Sequence, residues 1–305
     1  MGAQLRVYRR RIRSTKSMAK ITRAMELIAA TRISRAQRAV NAAGPYAREI
    51  TRAVAALAAR YREHPLLTEA DNPTRSAVLV ITSDKGLAGP YTANAIKETE
   101  SLTALLRDQG KEVLTYMVGR KGIDYFQFRD RPMEQSWEGF TERPTYIHAK
   151  EIADVLLERF SQDTGDGGVD EIHVVSTEFV SMLTQRATAT RVLPLELEEV
   201  EDEELIRQHG GPLPLYDFEP SAEDALDQLL PQYVTNRIYF ALLESAASQQ
   251  ASRRAAMKAA TDNAEELVKT LTRQANQARQ AEITNEISEI VGGADALAGA
   301  SAGSE

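Results

Sequence analysis

The apolar residues Ile33, Ala36, Val40, Ala43, Ala47, Ile50, Val54, Leu57 and Tyr61 follow one another at alternating steps of three and four. That spacing is the a/d seam of a coiled-coil helix, because it returns the chain to one face at every step. Run backwards, the same register meets Leu5, Tyr8 and Ile12 but also Thr15, Thr22 and Glu26, so the seam is expected to be less regular in its first half. Residues 3–43 contain neither Gly nor Pro. As one helix they would run ~60 Å at ~1.5 Å per residue. Gly44-Pro45 then interrupts the register. Proline removes a backbone donor and crowds the preceding turn, which predicts a kink or short break there.

The other end of the chain mirrors the first. Residues 232–291 also lack Gly and Pro. Met257, Ala260, Ala264, Leu267 and Leu271 read as its seam, and Ile283, Ile287 and Ile290 as a last apolar stripe. Gln250, Arg253, Gln274 and Asn285 interrupt that face, which predicts loose or partner-facing packing there. Gly292-Gly293 is expected to end the helix, and the Ala-, Gly- and Ser-rich tail after it to be disordered.

Between the long helices the period changes. Residues 77–82 form a continuous apolar run, as in a strand buried on both faces. Residues 91–108 read helical, Val113–Val118 as a strand, 146–160 as a helix, and Ile172–Ser176 and Thr188–Leu193 as two further strands. Alternating strands and helices predict an α/β domain with a mainly parallel sheet. The compact insert returns the chain, so the terminal helices are expected to pair antiparallel. The expected organisation is an N-terminal coiled-coil helix at 1–65, an α/β domain at 75–218, a C-terminal coiled-coil helix at 221–293 and a disordered tail at 294–305.

Charge sharpens this picture. The net −7 conceals a basic first segment (residues 1–62) and an acidic middle (residues 63–231). Glu196–Glu204, with seven acids in nine residues, reads as an exposed acidic loop. A basic arm seeks phosphates, anionic lipid or an acidic protein surface; a solvated helix face accounts for it equally well.

The chemistry is notable for what is missing. There is no Cys, so there is no disulfide, thiolate metal site or cysteine nucleophile. His64, His148, His173 and His209 have no metal-ligand spacing. No apolar run reaches the ~20 residues of a membrane span. Neither a P-loop nor a G-x-G-x-x-G fingerprint occurs, nor G-x-S-x-G or H-E-x-x-H. Gly119-Arg120-Lys121-Gly122 follows a strand, and reads as a strand-to-helix turn or, more weakly, as an anion cradle at a helix start. Glu171 and Glu178 flank a strand as a carboxylate pair without further catalytic partners. Ser83-Asp84-Lys85-Gly86-Leu87-Ala88-Gly89 is the most distinctive segment: Asp84, Gly86 and Gly89 suit a tight turn, and an active-site loop is the alternative.

Four segments together resemble a known family. They are Lys20-Ile21-Thr22-Arg23-Ala24-Met25-Glu26-Leu27-Ile28-Ala29, the turn 83–89, and two C-terminal stretches. Those stretches are Ala256-Met257-Lys258-Ala259-Ala260-Thr261-Asp262-Asn263-Ala264 and residues 279–294, which begin Arg279-Gln280-Ala281-Glu282-Ile283-Thr284-Asn285-Glu286-Ile287. The chain resembles the gamma subunit of the F-type ATP synthase over residues 3–297. The resemblance implies a Rossmann-like α/β foot inserted between N- and C-terminal helices that pair as an antiparallel coiled coil. It implies a central rotating stalk that couples c-ring rotation to the beta subunits, with alpha and beta subunits, epsilon and the membrane c-ring as partners. It implies no catalytic residue, cofactor, metal or nucleic acid of its own. Met25, Arg253, Arg279, Gln280 and Thr284 match family positions that meet the alpha and beta subunits; a core methionine is the equal alternative for Met25. Asp84, Lys85, Gly86 and Gly89 match the foot's turn motif. Gln249 stands where many members carry Glu, and Ala88 where many carry Cys. The lack of a dithiol insert and of an organelle presequence resembles a bacterial member, peripheral on the cytoplasmic face of the plasma membrane. The acidic run 196–204 is expected to tune contact with epsilon or the c-ring. Two rivals remain at this stage: a nucleic-acid binder using the basic arm, and a nucleotide-dependent enzyme using the α/β domain.

Overall fold

The computed structural model describes residues 3–58, 66–70, 72–195 and 222–302. Helix α1 spans Ala3–Ala58 and runs through Pro45 without the expected break. The seam continues on both sides of that proline, with Val40, Ala43 and Ala47 half-buried and Ile50 and Val54 buried. This burial outweighs the lost hydrogen bond. Strand β1 is Arg75–Ile81, α2 Tyr91–Asp108, β2 Glu112–Val118, α3 Arg120–Phe128, β3 Gln135–Trp137 and α4 Tyr146–Ser161. A 3-10 turn at Thr164–Asp166 leads to β4, Glu171–Phe179, and β5, Gln185–Leu193. The last helix, α5, is Ala222–Ala302. It therefore continues past Gly292-Gly293, where it was expected to stop, and residues 294–302 are helical rather than disordered. Two glycines weaken a helix by about 1 kcal/mol each but do not by themselves end one. The acidic run 196–204 lies outside the described residues.

The strand order is β3-β2-β1-β4-β5; the first four strands run parallel and β5 runs antiparallel beside β4. Side chains alternate across β1, and the two faces of the sheet fill two cores. Ala77, Leu79 and Ile81 face a cluster with Ile50, Val54 and Leu57 of α1, Ile152 and Leu156 of α4, and Leu226, Leu230, Val234, Ile238 and Leu242 of α5. Val78 and Val80 face Leu106 of α2 and Ile123 and Phe126 of α3. The apolar run in β1 is thus explained by helices on both sides. Strand β3 is an element that the sequence pattern did not show, and of α3 it showed only the start, the strand-to-helix turn at 119–122.

The chain divides into two compact units. One contains Ala29–Arg254. Within it Tyr46 Oη donates to Gln232 Oε1 at 3.1 Å, while Arg32 and Gln250 share a carboxylate partner. As numbers rise along α1 they fall along α5, so the helices pair antiparallel.

The second unit consists of α1 up to Ile28 and α5 from Ala255. Along α1 the inward positions are Leu5, Tyr8, Ile12, Thr15, Ala19, Thr22 and Glu26, the register read from sequence. On α5 they are Met257, Thr261, Ala264, Val268, Leu271, Ala275 and Ala278. This corrects the expected seam at two places: Thr261 is buried instead of Ala260, and Leu267 stands 48% exposed. The polar residue is accommodated because its hydroxyl is satisfied. Thr261 Oγ1 bonds the Met257 carbonyl at 2.9 Å and Thr22 Oγ1 at 2.7 Å.

Candidate functional site

The turn after β1 is heavily bonded to its surroundings. The Thr82 hydroxyl donates to the carbonyls of Val118 and Gly119 and accepts the Gly122 N–H at 3.0 Å. This draws the start of α3 against the end of β1. A Cβ at Gly119, where φ is +100°, would lie 2.7 Å from the Thr82 backbone. A Cβ at Gly122 would overlap Met117 Sδ and lie 2.7 Å from Thr82 Oγ1. Both glycines are required by close approach.

Asp84 reaches across this corner. Its Oδ1 accepts the N–H groups of Arg120 at 3.2 Å and Gly139 at 2.9 Å. Its Oδ2 accepts the N–H of Thr141 at 2.9 Å and the Thr141 hydroxyl at 2.8 Å. Burial alone would raise this carboxyl, but the N–H groups of Gly139 and Thr141, the Thr141 hydroxyl and the Arg120 N–H together hold it below its ordinary value. The weak anion-cradle reading of 119–122 resolves here. The free N–H groups at the start of α3 serve the chain's own Asp84, the Ser83 carbonyl and Thr82.

One residue beyond Thr141, Glu142 gathers charge from three elements. Its Oε1 meets Arg253 Nη1 of α5 at 2.9 Å and Gln250 Nε2 at 3.4 Å. Its Oε2 meets Arg32 Nη1 of α1 and Lys85 Nζ of the turn, each at 2.8 Å. Arg253 Nη2 reaches on to the carbonyls of Lys85 at 3.2 Å and Gly86 at 3.4 Å. Burial opposes the Glu142 charge, but Lys85, Arg253 and Arg32 outweigh it and hold the carboxyl below its ordinary value. Burial likewise lowers the Arg253 guanidinium, and Glu142 opposes that shift. The Glu142 and Arg253 side chains are only 15% and 6% exposed, so removing Glu142 leaves the buried Arg253 charge without its carboxylate, at a cost of up to about 3–5 kcal/mol, whereas removing Arg253 leaves Glu142 with Arg32 and Lys85. Lys85, two-thirds exposed, adds little. A cleft of about 570 Å³ opens beside this cluster, lined by Arg32, Lys85, Glu138, Arg143 and His148 among others.

The residues expected to meet partners fall into two groups. Arg279, Gln280 and Thr284 are exposed on α5, and Met25 is half-buried on α1. Arg253 is different: its guanidinium is taken up inside the chain by Glu142 and the turn. Of the turn residues, Asp84 is the bonding centre, Lys85 and Gly86 meet the Arg253 clamp, and Gly89 takes a positive φ of 55°. Gln249 is fully buried, with neither amide atom hydrogen-bonded among the described residues. Glu171 and Glu178 do not form a pair. Glu171 is buried and taken by Lys111 at 2.7 Å, Ser76 at 2.9 Å and His173 at 3.2 Å, whereas Glu178 faces Arg186 at 3.6 Å. Among the described residues no group of His, Asp and Glu is arranged to hold a metal ion, and no helix is long and apolar enough to cross a membrane. Sequence reading missed Glu142 and Arg32, because a single acid in an irregular segment and a basic residue on a basic helix carry no pattern.

The family model described as ATP synthase matches residues 4–297. The ATP synthase gamma chain of Thermobifida fusca is 80% identical over 305 residues, covering all of both chains. The chain belongs to the ATP synthase gamma-chain family. The gamma chain of Acidothermus cellulolyticus is 61% identical over 97% of this chain and 98% of its own; that of Streptomyces coelicolor is 60% identical over the full length of both. Among solved structures, a chain from the central stalk/c-ring structure of the Tetrahymena thermophila mitochondrial ATP synthase aligns with a TM-score of 0.57 at 21% identity, covering 79% of this chain and 99% of that one. A chain from the OSCP/F1/c-ring structure of the Euglena gracilis enzyme aligns at 0.63 and 15% identity, over 97% and 95%. At these identities the structures speak to the fold, and they share the architecture described above.

Proposed function

We propose that the chain is the non-catalytic central stalk of a proton-translocating F-type ATP synthase, peripheral on the cytoplasmic face of a bacterial plasma membrane. Its partners in this reading are the alpha and beta subunits, epsilon and the c-ring. The observation that carries it is the end of α5. There Ile283, Ile287, Ile290 and Val291 are 45–71% exposed, and past the half-buried Glu282 every position from 283 to 294 is exposed. An amphipathic stripe left open in this way needs an apolar sleeve from other subunits. Arg279, Gln280 and Thr284 flank the stripe and are placed to give that contact polar specificity. Met25 lies on the paired helix and is given the same role.

The mechanism needs no bond-making group in this chain. A rotor that presents a different face to each catalytic subunit shifts that subunit between open and closed states only through contacts that differ between those states. Helices with a continuous seam supply the required stiffness, and the α/β domain supplies the attachment to the turning ring. The test is co-purification of a tagged chain from its native membranes, with identification of the accompanying subunits and an ATPase assay. Recovery with alpha, beta and c-ring subunits is expected. Recovery alone, or with nucleic acid released by salt, overturns the reading.

A further inference from the structure

The α/β domain and the two long helices must act as one body if torque is to pass between them. The apolar core joins them, and Ser245 and Ser248 of α5 bond the Thr177 backbone of β4 while Ser252 bonds Gln185 of β5; those bonds tie the sheet to α5 but do not include α1. The directional connections observed near the turn converge on one side chain. Glu142 lies immediately after Thr141, which Asp84 ties to the β1 turn. Its two oxygens meet α1 through Arg32, α5 through Arg253 and Gln250, and the turn through Lys85. Arg253 then spans the gap, since it bonds Glu142 with one nitrogen and the Lys85 and Gly86 carbonyls with the other. A carboxylate holding three cations from three elements fixes their mutual angle in a way that no pairwise contact does.

From this geometry we infer that Glu142 is a positioning residue, the ionic joint that passes torque from the α/β domain to both long helices. The inference rests on the stalk reading and adds a residue to it. The Glu142 carboxylate bonds Arg32, Lys85, Gln250 and Arg253. It acts through Arg32, Arg253 and the turn, and its loss softens the connection without altering the helix faces that meet the catalytic subunits. Hydrolysis without load should therefore survive its removal, while work against a load should not.

The experiment uses the whole complex, assembled with this chain or with Glu142→Gln, in membranes that lack their own copy of the subunit. Gln keeps the shape but removes the charge that holds the cations. The first readout is ATP-driven proton pumping divided by ATP hydrolysis. The second is the angular fluctuation of a bead bound to one cysteine introduced at Lys97, an exposed site on α2; the chain has no other cysteine. Glu142→Gln is expected to leave hydrolysis within about twofold of the parent, lower the pumping ratio at least threefold and broaden the fluctuation about twofold. Glu142→Asp is expected to recover part of both. A purely structural role would lower assembly, hydrolysis and pumping in step. That result, or unchanged pumping and fluctuation, overturns the inference. If Glu142→Gln does not assemble, Arg32→Gln, which removes one of the three cations, decides on the same two readouts. Failure of the unaltered chain to restore ATP synthesis would instead refute the stalk reading itself.

Discussion

Replacing Asp84 tests the bonding of the turn most directly. Asp84→Ala removes a carboxylate that accepts from three backbone N–H groups and one hydroxyl. A hydrogen bond to a charged group contributes about 1.5–3 kcal/mol. The Arg120 and Gly139 bonds are exposed, so water takes over much of their share, whereas the Thr141 pair is partly buried. The net cost is then about 2–4 kcal/mol. Asp84→Asn keeps an oxygen for Arg120 and Gly139 but turns an NH₂ toward the Thr141 N–H, which sets the cost at about 1–2 kcal/mol. The assay is denaturant unfolding followed by Trp137 emission. Trp137 is the only Trp; it stacks on Tyr116 at 6.5 Å and its carbonyl accepts the Gly119 N–H, so it reports on this corner. Against its burial, the native-state carboxyl is held below its ordinary value by those donors. Its stabilisation is therefore complete above that value and fades as the pH falls through the lower native value. The gap between parent and Asp84→Asn should be constant from about pH 6 to 8 and narrow in acid below about pH 4. A loss under about 0.5 kcal/mol for Asp84→Ala, or a gap that widens in acid, would refute the bonding scheme.

Gly122→Ala should destabilise by about 2–4 kcal/mol, because its Cβ overlaps Met117 and Thr82; a thermal scan showing no fall in Tm would mean that the corner can relax. Thr22→Val combined with Thr261→Val should leave stability within about 1 kcal/mol, since both hydroxyls go together and the shapes are kept; a loss above about 2 kcal/mol would show that the pair holds the helices together. Gln249→Leu should stabilise the chain by about 1 kcal/mol by removing a buried amide without partners, and a lower midpoint in denaturant would count against this. Arg279→Ala with Gln280→Ala should slow ATP hydrolysis severalfold while the complex still assembles, as gel filtration and ATPase assays would show; loss of assembly would make the pair structural.

The long helices and the strongest strands were legible because each buries a repeating face. The α1 register, including Thr15, Thr22 and Glu26, could be read from Leu5 to Leu57 because a seven-residue repeat is enforced at every turn. The α5 seam was misread by one position at Thr261 and Leu267, because hydrophobicity favours Leu inward and gives no sign that a threonine has a partner across the interface. Strand β3 is only Gln-Ser-Trp, too short for alternation to show, and α3 begins at a glycine whose role is steric. Asp84 and the glycines of its turn stood out as a motif, but their function did not. The four donors of Asp84 lie 36 to 57 residues away, and only the fold brings them together. Glu142 was invisible for the same reason. Arg253 was noticed because it interrupts a seam; the sequence did not show that the interruption is answered from within.

The strict seven-residue repeat along α1 has a mechanical consequence. An ideal helix drifts ~20° per heptad from such a repeat, and helices that keep the seam closed must wind around each other to the left. A twisting load on the pair then has a sign. Turned one way it tightens the winding and presses the seam together; turned the other way it opens the winding and separates the same residues. Small seam residues such as Ala19 on α1 and Ala264 and Ala275 on α5 leave little slack for tightening. The paired helices should therefore behave as a torsion spring that is stiffer in one direction of rotation than in the other.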